Sequence, residues 1–166
     1  MLLPIRRISY QRGFTLLEMV VVILIMGILT LNLAPHSLNL SPFYARGFHD
    51  ETLALLRYAQ KSAIAHRRTV CVEFSGDVSV SLRISASAGT PTCTNALSGI
   101  AGGDASTSAV TAQSNVSYTA VPDNFSFDGL GQPVDGSGAL IATQSIQVVN
   151  ASNSISVEAV TGYIHE

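Results

Sequence analysis

The chain has 166 residues, enough for one ordinary domain and an appendage, and it is 47% hydrophobic with only 12% charged residues. Soluble domains carry about 25% charged residues, so part of this sequence is built for surroundings other than water. The formal net charge of −2 hides an asymmetry: beyond Arg68 the only basic residue is Arg83, set against eight acidic ones, which leaves residues 69–166 at −7 and without the clustered Lys and Arg that a phosphate backbone demands.

The first element is apolar. From Phe14 to Ala34 the only clearly polar residues are Thr15, Glu18, Thr30 and Asn32. As a helix this stretch would run about 31 Å, close to the thickness of a bilayer's hydrocarbon core. Residues 14–35 are therefore read as a transmembrane helix. Arg6, Arg7 and Arg12 precede it, and the positive-inside rule then holds the N-terminus in the cytoplasm and exports the rest. A cleavable secretory signal is the competing reading. It fits poorly, because the apolar run exceeds a typical signal core and Thr30-Leu31-Asn32 is not a small-x-small cleavage site.

Glu18 is out of place in such a run. A carboxylate inside a span costs a few kcal/mol unless it is paired or neutral. It could snorkel to the interface or stay protonated. Alternatively, a cut between Gly13 and Phe14 would make Glu18 the fifth residue of a mature chain, where it could pair with a terminal ammonium, its own or a neighbour's.

The stretch Arg12-Gly13-Phe14-Thr15-Leu16-Leu17-Glu18, with the apolar run behind it, resembles the signal of type IV pilins and type II secretion pseudopilins. That signal is a short basic leader ending in Gly, then Phe-Thr-Leu-x-Glu. The resemblance implies that residues 1–13 are a leader removed by an inner-membrane prepilin peptidase, and that Phe14 is N-methylated. It implies that Glu18 sets subunit register in a helical filament. Pro35 falls where pilin-like helices often carry a kink-forming proline.

Residues 36–68 read as a second, amphipathic, periplasmic helix. Ser41 is the expected N-cap, with Pro42 in the first turn. Phe48, Thr52, Leu55, Leu56, Ala59 and Ala63 form a stripe at helical spacing. Gly47 could break the helix, in which case Asp50 and Glu51 would open it. Arg57, Lys61, Arg67 and Arg68 are expected to face solvent, and His66, Arg67 and Arg68 suit the negative end of the helix dipole. The run "LALLRYAQKSAIAHRRTVCVEF" resembles the minor pseudopilin branch known as the H/FimT-like group, through Leu53, Leu56, Ala59, Ala63, Ile64, Val70 and Val72.

Residues 69–166 change period. "TVCVEF" and "VSVSLRIS" alternate as strands around Ser75-Gly76-Asp77, a hairpin. Residues 86–115 read as a long Ser/Gly/Thr-rich excursion with at most one short strand. "VSYTAV" and "FSFDG" read as strands, and "SIQVVN" and "SISVEAV" as a second hairpin around Ala151-Ser152-Asn153. The expected fold is α+β, a long N-terminal helix whose first half spans the membrane, packed on an antiparallel sheet.

Cys71 and Cys93 are the only cysteines; in an exported domain an even pair suggests a disulfide. None of His36, His49, His66 and His165 stands in a zinc spacing. Asp123, Asp128 and Asp135 lie in a Gly-rich stretch without the spacing of a calcium loop. No nucleophile elbow or phosphate loop is present, so the expectation is no enzyme, no catalytic residue, no metal and no cofactor.

The leading reading is a structural one: a minor pilin or pseudopilin of a type IV pilus or type II secretion pseudopilus. Its partners would be other pilins or pseudopilins, the prepilin peptidase and the inner-membrane assembly platform. Its place would be the inner membrane, single-pass, then the filament. A DNA-capturing minor pilin is the alternative, since some FimT-like members bind DNA through a C-terminal Gly-Arg-x-Arg element. The matching stretch here is Gly162-Tyr163-Ile164-His165, which keeps the glycine and lacks both arginines, so nucleic acid is not an expected partner. A third reading is an anchored periplasmic domain that never polymerises.

Overall fold

The computed structural model describes residues 13–32, 40–99 and 108–166. The chain divides into two units, Met1–Leu38 and Asn39–Glu166. Arg6, Arg7, Arg12, Pro35 and His36 lie outside the described residues.

In the first unit, α1 covers Leu16–Asn32, 17 residues. Leu and Met favour the helix, the β-branched Val and Ile less so, and Thr15 starts it. The Glu18 N–H donates to Thr15 Oγ1 at 3.3 Å, and the Met19 N–H donates to the Thr15 carbonyl at 3.2 Å. The helix thus begins two residues later than the expected start at Phe14, because Thr15 caps it. Every residue from Gly13 to Leu29 is exposed. Seventeen residues rise about 25 Å, and among the described residues no helix is long and apolar enough to cross a membrane.

The second unit opens with α2, Ser41–His66. Leu40, not Ser41, occupies its N-cap position and makes no side-chain cap bond. The Ser41 hydroxyl instead accepts from Asn150 Nδ2 at 3.4 Å. Gly47 does not interrupt the helix. The helix stops at His66, two residues short of expectation, because Arg67 turns left-handed (φ 50°) and its N–H folds back onto the last carbonyls. Gly129 makes this ending possible: a Cβ there would sit 3.1–3.3 Å from the Arg67 backbone. The expected stripe from Phe48 to Ala63 is buried at all six positions, and Ala45, His49, Leu53 and Ser62 join it.

Two antiparallel sheets follow. In the larger, β1 (Val70–Phe74) pairs with β2 (Ser79–Ser85) in the expected hairpin, with Val70 opposite Ile84 and Phe74 opposite Val80. The excursion holds two short strands rather than one: β3 (Cys93–Ala96) and β4 (Ala109–Thr111), both paired with β2. On the other side β1 pairs with β5 (Phe125–Phe127), which pairs with β6 (Pro133–Val134). The smaller sheet is β7 (Gln144–Gln147), β8 (Ser154–Val157) and β9 (Ile164–His165).

The expected strand "VSYTAV" does not form beyond a single bridge between Tyr118 and Val148. Its backbone bonds are divided. The Tyr118 N–H reaches Asp77 O beside β2 at 2.7 Å, while the Thr119 N–H reaches Gln147 O at 2.8 Å. The segment joins the two sheets instead of extending either. Tyr118 is buried with Phe48 and Phe74, ring centroids 4.8 and 5.5 Å away, and its hydroxyl meets Thr52 Oγ1 at 3.0 Å. One apolar core unites the inner face of α2 with the buried residues of both sheets.

Candidate functional site

The residues singled out at the N-terminus are Gly13, Phe14 and Glu18. Gly13 and Phe14 precede α1 in open surroundings, and Phe14 is 72% exposed. Glu18 stands in the first turn. That position suits a carboxylate, since the helix dipole is positive there and the first N–H groups are free. Thr15 and Glu18 have the spacing of a capping box, a signal that predicts the helix start from sequence. Among the described residues Glu18 forms no ion pair. Among the described residues, then, a charge without an ion-pair partner heads an apolar helix that is exposed on every side.

Cys71 and Cys93 form a disulfide, with Cα atoms 6.1 Å apart and a sequence separation of 22. Cys71 lies opposite Arg83 and Cys93 opposite Ser85, so the bond ties β1 to β3 over β2.

The acidic Gly-rich stretch is a pair of matching turns. Asp128-Gly129-Leu130-Gly131-Gln132 and Asp135-Gly136-Ser137-Gly138-Ala139 share one pattern, visible in the sequence at a period too short for a solenoid repeat. Asp128 Oδ1 accepts the N–H groups of Leu130 and Gln132 at 2.9 and 2.8 Å. Asp135 Oδ1 accepts those of Ser137 and Ala139 at 2.8 and 3.0 Å, and the Ser137 hydroxyl at 2.6 Å. The Ser137 hydroxyl, then the backbone donors, hold the Asp135 carboxyl below its ordinary value. These aspartates close turns.

The histidines are dispersed. His49 is buried in α2 and His66 ends that helix. His165 Nε2 lies 3.0 Å from Glu158 Oε1, and that bond raises the imidazole above its ordinary value. In the Gly162–His165 stretch, Gly162 is left-handed (φ 64°) and Ile164 O accepts from the Arg57 guanidinium at 3.3 and 3.4 Å. This stretch leads into the edge strand β9, which Arg57 of α2 ties to the helix.

Comparison with known proteins gives one positive finding, a match of residues 8–31 to the family model described as the prokaryotic N-terminal methylation motif. No curated protein and no solved structure matches the chain. The matched residues include Gly13, Phe14 and Glu18, the three picked out by the anomalous charge. The N-terminal segment of this chain is therefore a type IV pilin-like signal, of the kind that a prepilin peptidase processes.

Proposed function

We propose that the chain is a minor pilin or pseudopilin, a structural subunit cut by prepilin peptidase and built into a type IV pilus or a type II secretion pseudopilus. The methylation motif over residues 8–31 carries this reading. The peptidase cuts between Gly13 and Phe14, and the new terminal amine of Phe14 is methylated. In the inner membrane the apolar helix anchors the protein, with the domain from Ser41 onward in the periplasm. In the filament the helix packs among those of other pilins, and Glu18 neutralises an N-terminal ammonium. Its role is assembly and not catalysis.

The α2 face buried on two sheets, with the disulfide, supports an exported head of the minor-pilin kind. The acidic balance of residues 69–166 and the absence of arginine from Gly162–His165 favour this over DNA capture.

Intact-mass measurement on protein extracted from membranes of the native host tests the proposal. The expected species lacks residues 1–13 and carries one extra methyl group on Phe14. An uncut chain would refute it.

A further inference from the structure

The first turns of α2, the turn between β7 and β8, and the residue after β9 enclose an open cleft of about 480 Å³. Arg46, His49, Asp50, Asn150, Asn153 and Glu166 are in its wall. A ring nitrogen of His49 and carboxylate oxygens of Asp50 and Glu166 all lie within 4.8 Å of one another. These three residues come from opposite ends of the second unit, and only the fold brings them together.

Two features bear on what the cleft could hold. The first is His49. Its side chain is 5% exposed, its Nδ1 lies 3.2 Å from Asp50 Oδ1, and its Nε2 is buried with no hydrogen-bond partner. Imidazole is the commonest protein ligand for transition metals, and the Nδ1 of this ring already stands beside a carboxylate. The second is the charge. Two carboxylates converge here, yet among the described residues Arg46 forms no ion pair with either. Asn153 Nδ2 donates to Glu166 Oε2 at 3.1 Å and Asn150 Nδ2 to Ser41 Oγ at 3.4 Å. Those bonds use the amide nitrogens and leave the amide oxygens as further donors to a cation.

We propose that His49, Asp50 and Glu166 bind a divalent first-row transition cation of the zinc type. One imidazole with two carboxylates is a nitrogen and oxygen set suited to zinc, whereas calcium and magnesium take oxygen ligands. Ligand atoms around zinc stand about 3–4 Å apart, so the site closes by small movements of the two exposed carboxylate side chains. The ion would fasten the start of α2 to the last strand and to the β7–β8 turn.

The test is calorimetric titration of the full-length protein in detergent with zinc chloride, repeated with calcium and magnesium chloride, alongside thermal melts. The expected result is one zinc site, weak or no heat from calcium and magnesium, and a zinc-dependent rise in Tm. His49→Ala and Glu166→Gln should each weaken zinc binding by roughly tenfold or more, the loss seen even for outer-shell partners of a metal. His66→Ala, at the far end of α2, should leave it unchanged. Absence of zinc binding in the wild type overturns the proposal, and so does equal affinity in His49→Ala. Should His49→Ala fail to fold by circular dichroism, Glu166→Gln decides, because that side chain is exposed: unchanged affinity there overturns the site.

Discussion

Glu18 is the residue where the chain's local chemistry meets the proposed assembly. Its N–H takes part in the cap made by Thr15, so the backbone of the first turn is fixed by the chain alone. Its carboxylate has no such partner among the described residues. Glu18→Gln keeps the shape and the hydrogen-bonding capacity and removes the charge. Cleavage of the leader should survive this change, while incorporation should fall sharply. Intact mass of the membrane fraction and immunoblotting of sheared filaments separate the two effects. Normal incorporation of Glu18→Gln would remove the charge from the mechanism. Asp135 gives a second residue-scale prediction. Its folded value is lowered, chiefly by Ser137, so its contribution to stability is complete above the ordinary carboxylate value of 3.8 and is lost as pH falls through the lowered one. Thermal melts of Asp135→Ala and wild type should therefore differ at neutral pH and converge as both are taken well below pH 4.

Among the elements, those with strong periodicity are legible in the sequence. The α2 stripe and the β1–β2 and β7–β8 hairpins follow from spacings of 3.6 and 2. Residues 117–119 are not, since their bonds go to two sheets and no single period records that. Strands β3, β4 and β6 are two to four residues long and owe their existence to pairing with β2 and β5. The disulfide is legible from composition, and so in principle are the Thr15–Glu18 cap and the doubled Asp-Gly-x-Gly turn, each a short-range pattern of polar residues. Replacing both Cys71 and Cys93 with Ser should cost about 3 kcal/mol, or roughly 10 °C in Tm, in the chain-entropy account. Wild type melted in reductant should show a similar drop. Tyr118 makes a different demand on pH. Burial pushes its hydroxyl up to about 12 from 10.0. The raised value means that stability is intact below pH 10 and lost as pH rises from 10 towards 12, about 2–3 kcal/mol in all. Tyr118→Phe should lose about 1 kcal/mol at neutral pH with its Thr52 hydrogen bond. Its alkaline limb should be shallower than that of wild type, as urea titrations at pH 7 and pH 11 would show.

For the molecule as a whole, the decisive contrast is between its two units. Residues 40–166 hold six basic and ten acidic residues and gather apolar side chains from α2 and both sheets into one buried core. The first unit inverts this. From Phe14 to Leu29 every large apolar side chain of α1 is exposed, and none of these residues belongs to the core that α2 makes with the sheets. Fully burying each such side chain is worth about 1.5–3 kcal/mol, so α1 has a large unspent driving force towards lipid or towards other helices of its kind. Deleting residues 1–39 should then change where the protein goes while leaving its head folded. In detergent phase separation the full-length chain should enter the detergent phase, and the fragment 40–166 should stay in the aqueous phase with the β-rich circular dichroism of the intact head. Should the fragment aggregate or lose its Tm, the core of the head would depend on α1 for its folding. Should the full-length chain remain aqueous without self-associating, the exposed apolar helix would have found neither lipid nor a filament partner, and the assembly role would lose its physical basis.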